Sequence, residues 1–198
     1  MDQDFWVFAY GSLIWQPGFD FLEALPATLH GWHRAMCILS THYRGCPETP
    51  GLVLGLDRGG SCRGIAYRVA AADRGPTIAY LREREQVTSV YLETSRRITL
   101  AATPPRDVTA LVFLVDRSHP QYAGRLSLEH QVHLVRQGHG RSGANLDYVL
   151  STIAEIEAQG CHDTGLHALA ERLKGGHEAH ASALISTPLA KAHPDPVG

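Results

Sequence analysis

Apolar positions fall in short runs over the first 115 residues of the chain. The first run, Val7-Phe8-Ala9-Tyr10, is continuous and aromatic and stops at Gly11-Ser12, a pattern that predicts a buried strand ending in a turn. Further runs rich in aliphatic and aromatic residues lie at 35–39, 52–56, 64–69, 90–100 and 108–115 and predict more strands. The glycine-containing segment at 57–61 predicts a hairpin turn between two of them.

Helical spacing of apolar residues dominates the last third of the chain. It predicts a helix over 127–137 that stops at Gly138, a second capped by Asn145 and ending at Gly160, and a third capped by Thr164 and ending before Gly175-Gly176. An earlier helix is expected from about residue 73, with a proline in its first turn, to residue 85. Strands followed by helices predict an α+β fold with an antiparallel or mixed sheet. We expect one domain over 1–176 and a partly disordered tail over 177–198.

Composition narrows the class of protein. With 198 residues, 44% hydrophobic and 19% charged, the chain has the make-up of a soluble globular protein. A formal net charge of -2 offers no basic excess for nucleic acid or an acidic membrane surface. The start of the chain does not resemble a signal peptide, and four scattered cysteines without a C-x-x-C pair favour free thiols. We therefore expect a cytoplasmic protein with no nucleic-acid or membrane partner; its oligomeric state is left open.

Histidine spacing does not favour a metal site. The chain has 12 histidines, but His130 and His133, like His177 and His180, are three residues apart and lack an evident third ligand. Ser12 does not lie in a G-x-S-x-G elbow, so nothing indicates a serine nucleophile. The sequence thus predicts no metal and no covalent intermediate.

Two features could instead serve acyl chemistry. Successive amide N–H groups in the turn over 10–13 could bind a carboxylate or a developing oxyanion, although an ordinary turn would carry the same residues. Glu83 and Glu85 are two residues apart on a predicted helix, so they point to different faces. Either could be a solvated charge paired with Arg82 or Arg84, and spacing alone does not decide between them.

Several motifs resemble, in order and rough spacing, those of the ChaC-type γ-glutamylcyclotransferases, and the bacterial branch of that family is the most similar. The resemblance covers about residues 6–173. It rests on Phe8-Ala9-Tyr10-Gly11-Ser12-Leu13-Ile14-Trp15, Gly31-Trp32-His33-Arg34, Gly64-Ile65-Ala66-Tyr67-Arg68-Val69, Leu81-Arg82-Glu83-Arg84-Glu85 and Gly140-Arg141-Ser142-Gly143-Ala144-Asn145-Leu146-Asp147-Tyr148.

The resemblance implies a small mixed β-barrel with flanking helices and a helical C-terminal third. It implies an enzyme that converts the γ-glutamyl group of glutathione to 5-oxoproline and releases cysteinylglycine without a cofactor. Glu85 falls on the family's catalytic carboxylate, and the implied substrate-binding residues are Tyr10, Gly11, Ser12, Leu13, Arg44 and Tyr148.

Departures from the family pattern keep the substrate range open. His42, Tyr43 and Leu52 stand where many relatives carry other residues, which bears on how the leaving dipeptide is recognised. One alternative is a cyclotransferase for other γ-glutamyl amines or amino acids. A second is a non-catalytic binding or regulatory module linked to cation transport.

Overall fold

The computed structural model describes residues 3–85 and 89–185, in which a five-stranded barrel precedes a helical C-terminal part. Short 3-10 turns occupy Ser12–Ile14 and Ala71–Asp73. The strands are β1 (Phe5–Ala9), β2 (Glu23–Ser40), β3 (Gly51–Val69), β4 (Tyr91–Leu100), β5 (Arg106–Val115), β6 (His139–Gly140) and β7 (Gly143–Ala144). The helices are α1 (Arg74–Glu85), α2 (Leu128–Gln137), α3 (Asn145–Ala158) and α4 (Thr164–Ile185).

The barrel closes through a parallel pair of strands. Its order is β1-β3-β2-β4-β5, and β5 returns to β1 with Trp6 opposite Ala110. The other neighbouring pairs run antiparallel. The sheet is therefore mixed, and closure removes the exposed edges that an open sheet would carry. Together with the helices this confirms the predicted α+β class.

Strands β2 and β3 are longer than the apolar runs predicted. The prediction of a hairpin turn at 57–61 is wrong, because this segment lies inside β3. Gly59 and Gly60 have φ of +106° and +65°, and Gly31 on β2, where the pairing register shifts, has φ of +82°. Glycine adopts a positive φ without steric cost, so these residues form a bulge that bends the two strands without ending them. The connection between β2 and β3 lies instead at 41–50.

Apolar side chains from each barrel strand and from one face of α3 and α4 fill the interior. Phe8 of β1 and Phe113 of β5 are almost fully buried, and Leu81 is the fully buried side chain of α1 that packs in the same core. Burying a side chain of this size contributes about 1.5–3 kcal/mol. The side chains that α3 and α4 contribute to this core are Val149, Ile153, Ile156, Leu166, Leu169 and Leu173. No helix in the described part of the chain is long and apolar enough to cross a membrane.

Asn145 joins α3 to the barrel. It was predicted to cap this helix, but it is the first helical residue and its side chain forms no cap. Its fully buried amide instead accepts from the N–H of Leu52 at 2.6 Å and donates to the carbonyl of Leu52 at 2.7 Å. Each half of the amide thus satisfies a buried backbone group, which would otherwise cost about 1–3 kcal/mol.

Helix α4 differs from its prediction at both ends. Thr164 is its first residue, and the carboxylate of Asp163 accepts from the N–H groups of Gly165 and Leu166 and so caps it. The helix continues through residues 175 and 176 to Ile185, although each internal glycine costs about 1 kcal/mol. The domain limit at 176 stays a prediction, and residues 186–198 of the expected tail lie outside the described residues.

Candidate active site

The chain turns sharply where β1 ends. The 3-10 turn Ser12–Ile14 is closed by the N–H of Ile14, which donates to the carbonyl of Gly11 at 2.9 Å. The first N–H groups of a helical turn have no partner within it. The amides of Ser12 and Leu13 are therefore the donors that this turn can offer to a ligand.

Side chains from two strands fix the position of the turn. Arg34 of β2 is only 4% exposed, and its Nε donates to the carbonyl of Tyr10 at 2.5 Å. Tyr67 of β3 donates its hydroxyl to the carbonyl of Ile14 at 2.6 Å. Because both bonds hold backbone oxygens, they fix the path of the chain on either side of the donors.

A third contact comes from the end of α1. Arg84 donates through Nη2 to the hydroxyl of Ser12 at 2.8 Å, and through Nη1 to the carbonyl of Gln16 at 2.7 Å and to the hydroxyl of Tyr80 at 2.8 Å. Its Nε lies 3.6 Å from Oε1 of Glu85. One guanidinium therefore sets the distance between the turn and the carboxyl group of Glu85.

Glu85 is the inward-facing carboxylate of α1. Its side chain is 17% exposed, and burial raises its pKa above the ordinary value of a glutamate, while Arg84 opposes that rise. Glu83 is exposed, and Arg82 pairs with Glu93 of β4 at 2.6 and 3.0 Å. The structure thus separates the two glutamates that spacing left equivalent.

The turn and Glu85 meet in one cavity of about 60 Å³. A water molecule needs about 10–15 Å³ of such space, so the cavity accommodates a group of a few atoms. The lining residues are the predicted Tyr10, Gly11, Ser12, Leu13, Glu85 and Tyr148, together with Leu54, Tyr91 and Phe113.

Sequence reasoning missed the last three lining residues. Tyr91 donates its hydroxyl to the carbonyl of Leu54 at 2.7 Å, and burial raises its pKa well above the ordinary value. No motif or spacing connects Leu54, Tyr91 and Phe113, because they belong to three strands that come together only in the closed barrel.

The phenols around the cavity stay protonated. Burial raises the pKa of Tyr10 and of Tyr148. The nearby Tyr91 and Glu85 raise the pKa of Tyr10 further, while hydrogen bonds with Leu54 and Thr152 and the charge of Arg44 partly offset the rise at Tyr148. A protonated phenol remains available as a hydrogen-bond donor or acceptor. The cavity is therefore a poorly solvated compartment in which neutral hydroxyl groups surround one carboxyl group.

Arg44 lies behind the cavity and does not line it. Its guanidinium carbon is 5.1 Å from the ring centre of Tyr148. Nη1 donates to the carbonyls of Ser142 and Ala144 at 2.5 and 3.4 Å, around the β6–β7 hairpin. These contacts make Arg44 a support for Tyr148, and its direct contact with a substrate stays a prediction.

The polar groups that line the cavity suit proton transfer better than metal binding. They include one carboxylate, three phenols and backbone amides, whereas transition metals favour imidazole and thiolate ligands. The hydroxyl of Ser12 accepts from Arg84, an unsuitable base for activating a nucleophile. The arrangement can stabilise an oxyanion and move a proton, provided that the substrate supplies its own nucleophile.

Comparisons with known proteins agree with this chemistry. The family model described as ChaC-like protein matches residues 5–175. A relative from Escherichia coli (strain K12), named glutathione-specific γ-glutamylcyclotransferase, is 36% identical over 85% of this chain and 72% of its own length. Glutathione-specific γ-glutamylcyclotransferase 1 of Mus musculus is 32% identical over 75% of this chain and 67% of its own. A crystal structure of a yeast γ-glutamylcyclotransferase specific to glutathione superposes with a TM-score of 0.75 at 22% identity, covering 87% of this chain and 99% of that one, and shows the same fold.

Proposed function

The chain belongs to the ChaC-like protein family, and we propose that it cyclises the γ-glutamyl group of glutathione to 5-oxoproline and releases cysteinylglycine. Relatives from E. coli and mouse carry the name of this activity. The observation that carries the proposal is the meeting of Glu85 with the turn at 10–13 in one cavity. A buried proton carrier and a pair of amide donors are the two groups that this reaction needs.

The reacting γ-glutamyl end of the substrate enters the cavity, because Glu85 and the turn at 10–13 line it. The cysteinylglycine part then lies toward the mouth. The α-amine of the γ-glutamyl group is the nucleophile, and the site must fold the flexible chain so that this amine meets the γ-carbonyl. Well-oriented intramolecular reactions of this kind gain effective molarities of about 10⁵ M or more.

The bond changes balance without a cofactor. Glu85 accepts a proton from the α-ammonium group, and the freed amine attacks the γ-carbon. The carbonyl oxygen becomes an oxyanion that accepts from the amides of Ser12 and Leu13. As this intermediate collapses, the bond to the cysteinyl nitrogen breaks and that nitrogen is protonated. In total two protons leave the α-nitrogen and two reach the leaving nitrogen, and Glu85 carries them in succession and regains its initial state.

We expect the leaving dipeptide to be recognised outside the cavity, around its mouth. Leu52, one of the departures from the family pattern, is fully buried in β3 and cannot touch the substrate. His42 and Tyr43 are exposed on the 41–50 connection, where Nε2 of His42 lies 3.0 Å from Nη1 of Arg141. Of the three departures, His42 and Tyr43 are therefore the ones exposed enough to contact the leaving dipeptide.

A matched pair of variants tests the proposal. Glu85→Gln keeps the size of the side chain and removes the base, so 5-oxoproline release from glutathione should fall by about 10²–10⁴-fold. Glu83→Gln, two residues away and exposed, should keep wild-type activity. Chromatographic measurement of 5-oxoproline with purified protein gives the answer, and full activity in Glu85→Gln would refute the assignment.

A substrate panel tests the specificity. Glutathione, γ-glutamylcysteine and other γ-glutamyl amino acids share the reacting end and differ only in the part that meets the rim. We expect the highest kcat/KM with glutathione. A higher value for a γ-glutamyl amino acid would instead identify a cyclotransferase for those compounds.

The thiols fit a cytoplasmic enzyme. The four cysteines are free, and burial raises the pKa of Cys37 and Cys62 to about 12, which keeps both thiols protonated. Free thiols persist in a reducing compartment. The free thiols thus support the proposal that the reaction takes place in the cytoplasm.

A further inference from the structure

We propose that Glu157, His162 and His167 form a binding site for one divalent transition-metal ion of the zinc type. Each residue offers one ligand atom, and these atoms all lie within 4.8 Å of one another. Two imidazoles and a carboxylate are a ligand set that zinc accepts in proteins. None of the three lines the active-site cavity, so the site is independent of the proposed reaction.

The three ligands come from consecutive parts of the corner between α3 and α4. Glu157 lies in the last turn of α3, His162 in the connection and His167 in the first turns of α4. Gly160 has φ of +72° and lets the chain reverse, while the N–H of Cys161 donates to the carbonyl of Ile156 at 3.1 Å. The backbone next to His162 is thus fixed, which limits the rearrangement that binding would require.

Two of the ligands are already close to metal-binding separation. Nδ1 of His167 lies 2.9 Å from Oε1 of Glu157. Bonds of about 2.0–2.1 Å in tetrahedral geometry place ligand atoms roughly 3.3 Å apart. The rings of His162 and His167 are 5.3 Å apart between their centres, and both side chains are exposed. The ligand atom of His162 already lies within 4.8 Å of the other two, so binding requires only a small approach of its ring.

The neighbouring carboxylate is engaged elsewhere. Asp163 accepts from two N–H groups at the start of α4, so it serves as a helix cap. Water is left as the fourth ligand, because the corner faces solvent. An ion held in this way joins the end of α3 to the start of α4 and stabilises the folded chain by binding it in preference to the unfolded chain.

Calorimetric titration of the full-length, untagged protein with zinc chloride tests the site. The wild type should bind one ion per chain. His162→Ala/His167→Ala should lower the affinity at least tenfold, and Glu157→Gln should lower it by a smaller factor. His130→Ala/His133→Ala, which removes two exposed histidines of α2, is the matched control and should bind as the wild type does.

Thermal unfolding gives an independent measurement. At a zinc concentration 100 times Kd, Tm of the wild type and of the α2 control should rise by about 5 °C or more. The rise should be at most about half as large in His162→Ala/His167→Ala, and this variant should still release 5-oxoproline at the wild-type rate. Absence of binding to the wild type, or undiminished affinity in that double variant, would overturn the proposal whatever the outcome for Glu85.

Discussion

Glu85 illustrates how burial sets the behaviour of a single residue. Its carboxyl group faces a poorly solvated cavity, which raises its pKa, and Arg84 limits the rise. A general base works best when its pKa approaches the operating pH. The acidic limb of the pH–rate profile should therefore lie above the ordinary glutamate value of 4.5.

The same shift predicts a pH-dependent effect on stability. A carboxyl group with a raised pKa binds protons more readily in the folded state, so folding loses stability as pH rises from 4.5 through the raised pKa. Glu85→Gln removes the group, so it should have a higher Tm than the wild type at pH 7 and gain nothing below pH 4.5. Thermal unfolding across pH measures the difference. A variant less stable at pH 7 would contradict the burial argument.

The sequence predicted the main chemical groups of the site, but not all of its surroundings. The turn at 10–13 and Glu85 were identified because their motifs are local along the chain. Spacing alone could not choose between Glu83 and Glu85, since the orientation of α1 decides which one faces inward. Tyr91 was missed because its place in the cavity depends on strand pairing. Arg44 lies behind Tyr148, a detail that side-chain packing alone determines.

At the level of elements, the site joins the end of α1 to the turn that follows β1. Arg84 makes this link through Ser12, Gln16 and Tyr80. Its planar guanidinium serves these acceptors at once, which a lysine ammonium on a flexible stem cannot reproduce. The relative position of the two elements therefore depends on one side chain.

Arg84→Lys should lower kcat/KM for glutathione by about 10–100-fold, because small displacements of catalytic groups are costly. Arg82→Lys is the control, since Arg82 is exposed and pairs only with Glu93 among the described residues. Steady-state kinetics with glutathione compares the two. Equal kinetics for both variants would show that the link to the turn has no role in positioning.

Element types followed from the sequence more closely than element connections did. Periodicity of apolar residues gave the helices and most strands. It failed at 57–61, where glycines at positive φ form a bulge and not a turn. Asn145 and Thr164 were assigned as caps from their residue type alone. The side chain of Asn145 instead pairs with a strand that lies far away along the chain.

For the whole molecule, the barrel and the packed helices share one main core, beside a small second cluster of Cys37, Ile38, Val90 and Val115. Val149 and Ile153 of α3 and Leu169 of α4 belong to the same cluster as the barrel residues. Leu173 is the last buried apolar side chain of α4 up to residue 175, where the described side chains of this helix end. We therefore propose that residues 1–176 are the folding unit.

A chain ending at residue 176 should fold and keep at least half of the wild-type 5-oxoproline release, because it retains the described core. A chain ending at residue 163 is the control. It loses Leu166, Leu169 and Leu173, and each loss of a buried leucine side chain costs about 2–5 kcal/mol. Circular dichroism and the activity assay compare the two. An unfolded 1–176 chain would place the end of the domain later in α4.

The contacts that hold the turn at 10–13 also bear on what happens during protein synthesis. The turn leaves the ribosome before Arg34, Tyr67 and Arg84, the three residues that hold it. Tyr148 and the helices follow later still. A nascent chain therefore has the amide donors long before it can use them. On the proposed function, the site is complete only once Tyr148 has been made.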